Sequence, residues 1–239
     1  MEVESRGKLR PQRWFYSSLS ILAALIVAGG FWNTYWKGAF DGSIQKSWVV
    51  DLHAAVFVGW IVLFIAQATL IFRGRTDVHR KVGKFGILYG FVIIGMGLFV
   101  SLHQLAVGVE AGNAAEAQGF LLIPLVDMIV FPAFFGAAIY YRRKPELHRR
   151  LMLVATTELL TAAVARLNLE NYVTAHWSVF VIWLSPIYLA MIYDYLTKRI
   201  IHPVYVIGII VLSLTMLRVF ATQTEAWLSI ARMITRWVT

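Results

Sequence analysis

Asp77-Val78-His79-Arg80-Lys81-Val82-Gly83 opens one long apolar run of this chain, and Glu146-Leu147-His148-Arg149-Arg150-Leu151-Met152 opens another. Both read acid, aliphatic, His, Arg, base, aliphatic. Each follows an apolar run that ends in a basic cluster, so the repeated unit reads as a helical hairpin with a His-Arg pair at its turn. Two such hairpins in one chain put His79 and His148 at matching depths. Equal depth is what a shared metal, heme or quinone site requires, and it is also what two ordinary interfacial turns would produce.

Outward from these turns, the apolar residues fall into blocks of membrane-spanning length. The chain has 239 residues, of which 59% are hydrophobic and only 15% charged. A span needs about 20 mostly apolar residues to cross about 30 Å of hydrocarbon. The segments 14–36, 48–72, 85–107, 119–141, 151–169, 177–196 and 203–220 meet or approach that length. The expectation is a single all-α polytopic membrane helix bundle over residues 1–239, with about seven spans and a duplicated hairpin core at 48–169.

Basic residues near span ends stay on the cytoplasmic side. Arg6, Lys8, Arg10, Arg13, Arg73, Arg75, Arg80, Lys81, Lys84, Arg142, Arg143, Lys144, Arg149, Arg150, Lys198 and Arg199 would share one side, 16 of the 22 basic residues. This predicts a bacterial cytoplasmic (inner) membrane protein with its N-terminus cytoplasmic and its C-terminus outside. The net charge of +9 is then a topology signal that meets anionic headgroups, and nucleic acid is not an expected partner. With no cysteine, disulfides, iron-sulfur clusters and thiolate metal sites are excluded.

Residues 221–239 differ in kind. Glu225, Ser229, Arg232 and Arg236 fall on one helical face and Trp227, Ile230, Ile234 and Trp237 on another, which predicts an amphipathic helix lying on the outer surface or against a partner subunit. Inside the spans, Gly86 and Gly90 form a small-xxx-small pair that admits a neighbouring helix. Pro124, Pro132 and Pro186 are expected to bend theirs.

Topology sorts the six histidines into two groups. His79, His148 and His202 fall at cytoplasmic span ends, and His53, His103 and His176 at outer ends. His53 and His103 lie about one turn inside their spans, so each ring needs a polar partner. Asp51, Asp127, Arg166 and Asn168 are available at comparable depth, with Glu158 nearer the midplane. An ionisable group within a span costs roughly 2.5 to 3.5 kcal/mol on insertion scales and usually faces the bundle interior. Asp127, Glu158 and Arg166 are therefore candidate site residues; the structural alternative is an Asp127–Arg166 ion pair with Glu158 protonated. Asp194, beside Lys198 and Arg199, reads as a solvated charge.

The stretch His79-Arg80-Lys81-Val82-Gly83-Lys84-Phe85-Gly86-Ile87-Leu88-Tyr89, with His148-Arg149-Arg150-Leu151-Met152 and Ala162-Ala163-Val164-Ala165-Arg166, resembles a bacterial family of multi-pass membrane proteins that has no settled activity. Its members pair an H-R-x-x-G turn with an H-R-R-x-M turn and a downstream arginine. Here the tyrosine is displaced to Tyr89, and Leu151 stands where an aromatic is common. The resemblance implies architecture more than reaction. A looser similarity is to transmembrane b-type cytochromes, which implies heme b on histidine pairs from alternate helices. His79 and His148 match an inner pair. No histidine in the fourth span stands opposite His53.

The reading that follows is an integral membrane redox or metal-binding protein. His79, His148, His53 and His103 are its candidate heme contacts, and His53, His103, His176 and Asp127 are candidate ligands of a non-heme metal ion. Glu158 and Arg166 form a further polar site. A quinone or a partner membrane subunit would be its companion besides the lipid bilayer, and no reaction can be named. A proton-coupled transporter and a non-catalytic accessory subunit are the alternatives. Desaturase histidine boxes, an H-E-x-x-H helix, a Schiff-base lysine and phosphate-binding glycine loops are absent from the sequence.

Overall fold

The computed structural model describes residues 2–43, 47–167 and 177–238, and every regular element among them is helical. In chain order these are α1 (Glu2–Gly30), a π-helical turn (Trp32–Trp36), α2 (Lys37–Asp41), α3 (Trp48–Phe72), α4 (Thr76–Glu110), α5 (Ala114–Tyr140) and α6 (Pro145–Glu158). They are followed by α7 (Thr161–Val164), α8 (Trp177–Lys198), α9 (Pro203–Thr215), α10 (Arg218–Ala221) and α11 (Glu225–Val238). Each long apolar run becomes a helix because backbone groups in hydrocarbon must find their partners within the segment.

Among the described residues, six helical segments are long and apolar enough to cross a membrane: Gln12–Gly30, Trp48–Phe72, Thr76–Glu110, Ala114–Tyr140, Ser178–Lys198 and Pro203–Ala221. The remaining expected span, 151–169, is not among these: α6 has only 14 residues and stops at Glu158. Thr156, Thr157 and Glu158 interrupt the apolar run, and the carbonyls released by the break find other donors. Trp183 Nε1 donates to the Thr157 carbonyl at 2.8 Å. Thr161 Oγ1 donates to that of Glu158 at 2.6 Å. The α6–α7 unit nevertheless runs the length of the bundle, with His148 against Ala138 at one end and Ala163 against Gly30 at the other.

The hairpins α3–α4 and α5–α6 turn at the same end, called the basic end below. Gly74, at φ 74°, makes the first turn in a left-handed conformation that only glycine adopts freely. Pro145 starts α6 at a position where its missing N–H is not needed. The copies are unequal, since α4 has 35 residues against 14 in α6. At about 1.5 Å per residue, α4 is about 52 Å long.

The core is aromatic and small-residue packing around α4 and α5. Trp60 meets Phe131 and Phe135 edge to face at 5.3 and 5.5 Å. Gly90 lies directly against the Phe135 ring, and Gly97 against the Met128 sulfur. Gly86 faces α3 instead, near Leu63, so the glycines of α4 serve two neighbours. Pro124 and Pro132 lie within α5 and Pro186 within α8, each helix continuing past them. Leu88, Phe91, Ile129, Ile207 and Ile210 point outward, as side chains in lipid do, and Trp14, Trp32 and Trp48 are exposed near helix ends as interfacial anchors.

The expected C-terminal amphipathic helix is α11. Its Ala231 is buried against the bundle. Trp227 Nε1 donates to the Gln118 carbonyl at 2.9 Å, and Gln118 Nε2 donates to Thr235 Oγ1 at 3.1 Å. Arg232 reaches Glu225 at 2.9 Å on a second face, while Ile230, Met233 and Trp237 form an exposed apolar stripe. Polar, apolar and bundle-facing stripes on one helix suit a segment lying along a membrane surface.

Candidate functional site

At the basic end the first turn of α4 carries His79 and the first turn of α6 carries His148. The structure brings the two rings together, with centroids 6.4 Å apart and planes at 78°. Both are half-buried. His148 Nδ1 lies 2.8 Å from the Ala138 carbonyl of α5. A carbonyl only accepts, so Nδ1 carries the proton and Nε2 keeps its lone pair. Burial pushes the His148 imidazole below its ordinary value, opposed by that hydrogen bond. A neutral ring with a free Nε2 is the form that binds a metal.

His79 is held by Gln67 of α3. With the Gln67 amide set to satisfy all its neighbours, its nitrogen donates to His79 Nδ1 at 2.6 Å and to the His79 carbonyl at 3.2 Å, and its oxygen accepts from Gly83 N at 2.9 Å. In that setting the His79 proton sits on Nε2. Ligation through Nε2 requires the amide to turn, so that its oxygen accepts from Nδ1–H. Gln67 thus sets the tautomer of one ring of the pair while the backbone sets the other.

The basic end also carries a network that ties four helices. Arg150 Nε donates to Asp194 Oδ2 at 2.9 Å, a second nitrogen of the same guanidinium also meets that oxygen, and Nη1 reaches the Glu146 carbonyl and carboxylate at 2.6 and 2.8 Å. Lys198 and Arg149 converge on the same Glu146 oxygen at 2.9 and 2.5 Å. Partial burial works to raise the Glu146 carboxyl, but the bonds from Lys198 and Arg150 and the charges of Arg149 and Arg150 hold it at about 2. Tyr16 of α1 and Tyr205 of α9 share a 2.5 Å hydroxyl contact beside it, and the Arg149 guanidinium lies 4.7 Å from the Tyr16 ring centre. Asp194 is therefore not the solvated charge expected of it. His202 acts locally, accepting from Val204 N at 3.3 Å as the cap of α9.

The opposite end assembles less. His53 rests against Phe57 at 4.3 Å, its buried Nδ1 without a hydrogen-bond partner among the described residues, and His103 stacks near Phe99 at 6.2 Å. His176 and Asn168 lie outside the described residues. Arg166 is exposed; it donates to the Ala162 carbonyl at 2.6 Å and lies over Phe31 at 5.0 Å. Tyr35 donates to Asp51 at 3.0 Å. Among the described residues no group of three or more His, Cys, Asp or Glu side chains could share a metal ion, so His53, His103 and Asp127 are not gathered into one ligand set.

Asp127 pairs with Arg218 of α10, not with the Arg166 of the structural alternative. Glu158, fully buried, lies within hydrogen-bonding reach of the Asp127 carboxyl. Arg218 falls inside the expected last span, and the rule that singled out Asp127 applied to it equally. Gln67 carried no comparable signal, because a glutamine one turn from a span end is ordinary. Comparison with protein-family models, with characterised proteins and with solved structures finds no match to this chain, so the geometry of these residues alone carries the functional reading.

Proposed function

We infer that the chain is an integral membrane redox protein that holds a heme b, or another metal centre, at His79 and His148. The observation that carries this reading is the meeting of the two rings, each with its Nδ1 tied to a helix neighbour. Such ties orient a histidine ligand and are a regular companion of metal binding. His148 is ready to ligate, and His79 becomes so when Gln67 turns. Exposed Arg80, Lys81 and Lys84 on α4 supply positive charge beside the site for the carboxylates of a heme. A heme bound there would supply a one-electron carrier. In this reading the basic end is cytoplasmic, the N-terminus lies on that side, α11 lies on the outer face of the bacterial inner membrane, and a quinone is the fitting electron partner. Kinship with the family that pairs H-R-x-x-G and H-R-R-x-M turns belongs to the same proposal. An outer centre on His53 and His103 has weaker support, since among the described residues their rings lie against Phe57 and Phe99 and not against each other.

A proton-coupled transporter is the second reading, favoured by the break between α6 and α7 with a buried carboxyl at it. The deciding experiment is an absorption spectrum of detergent-purified protein before and after dithionite, with metal analysis of the same sample. A reduced-minus-oxidised b-type band stoichiometric with protein, and lost in H79A and H148A, is expected. A colourless, metal-free protein at full yield sinks the redox reading and moves the weight to transport.

A further inference from the structure

Glu158 is the last residue of α6, and its side chain is completely buried. Among the described residues, neither carboxyl oxygen accepts a hydrogen bond. The group within its reach is another carboxyl, that of Asp127, which Arg218 already engages. Two carboxylates and one guanidinium leave one uncompensated negative charge in the apolar interior. Among the described residues, Arg218 is the charged group that acts on both of them. Arg166, which follows α7, is turned to Phe31 and the Ala162 carbonyl.

A single proton removes the imbalance. Placed on Glu158, it converts a repulsive contact between two acceptors into an O–H donor bonded to the Asp127 carboxylate, and it leaves Asp127 and Arg218 as a neutral ion pair. The helix favours that placement, because the C-terminal end of α6 carries partial negative charge that opposes an ionised Glu158. Two carboxyls that share one site hold a proton between them for the same reason. Glu158 is sealed and the Arg218 side chain is 4% exposed, while that of Asp127 is 19% exposed and is the most open of the three. The site lies near the middle of the bundle, since Asp127 is midway along α5 between Gln118, beside α11, and Ala138, beside His148.

We propose that Asp127 and Glu158 together bind one exchangeable proton opposite Arg218, forming a proton-binding site inside the membrane bundle. It stands independently of any cofactor at the histidine pair. The test is infrared spectroscopy of the full-length protein in lipid vesicles at neutral pH, in H2O and D2O. Wild type should show one protonated-carboxyl C=O band that shifts in D2O, which demonstrates exchange. Both E158Q and D127N should lose it, because one carboxylate against one guanidinium needs no proton; R218Q should roughly double it. The two carboxyl variants are near-isosteric, and either one that folds suffices. A wild type with no acid band, a band that ignores D2O, or a band unchanged in a folded carboxyl variant overturns the proposal.

Discussion

Arg150 and Asp194 form an ion pair inside the bundle, each side chain only 1% exposed, and join α6 to α8. Removing one partner strands the other charge, which costs about 3–5 kcal/mol, whereas replacing both by apolar residues of similar volume is often neutral or stabilising. D194A should therefore lower the thermal unfolding midpoint in detergent sharply. R150M/D194L should recover most of the loss. A single variant that melts with wild type would show the pair to be dispensable.

Glu146 makes a pH prediction of definite sign. Its folded value of about 2 lies below the about 4.3 of an unfolded glutamate. Its contribution is then present above the unfolded value and lost as pH falls through the folded one. Stability should decline between about pH 4.3 and 2 in wild type, and less steeply in E146Q. Chemical unfolding curves across that range check it. The half-exposed position of the side chain keeps the effect modest.

At the histidine pair, H148A should abolish cofactor retention, and Q67A should weaken it by about 10–100-fold, the usual penalty for losing a group that orients a ligand. Heme titration of the apoprotein reads both. Equal retention in wild type, H79A and H148A would remove the pair as ligands.

The α4 glycines divide by what surrounds them. Gly90 lies against the Phe135 ring, so G90A should cost about 1–3 kcal/mol by overpacking. A methyl added at Gly95 would meet no other side chain within 4 Å among the described residues, and G95A should be neutral or gain up to about 1 kcal/mol from helix propensity. Unfolding midpoints of the two variants, measured side by side, make the comparison. A G90A protein as stable as G95A would place α4 farther from α5 than described here.

Helix type and most helix positions were legible because an apolar run in a membrane must satisfy its own backbone, a requirement visible residue by residue. The segment 151–169 misled because its mean character is apolar although Thr156-Thr157-Glu158 ends the helix within it. The repeat of His79 and His148 placed them at one depth correctly, since hairpin parity is a one-dimensional property. Which cation faces Asp127 is a property of lateral packing, and neither Arg166 nor Arg218 announces it. Arg150 looked like its loop neighbours Arg142 and Arg143, although they are exposed and it lies wholly inside. Hydrophobic patterning reports depth along a helix far better than it reports which helix stands beside it.

The length of α4 has a consequence for the surrounding lipid. Between Lys84 and Glu110 it carries no charged residue, a stretch of about 37 Å at 1.5 Å per residue, against a hydrocarbon layer of about 30 Å. Shorter neighbours flank it in the same bundle, so the mismatch is met by leaning of α4 or by local thickening of the bilayer around it. Bilayer thickness thereby becomes a mechanical input to this protein. Its stability should peak in lipids with longer acyl chains than those that suit an average span.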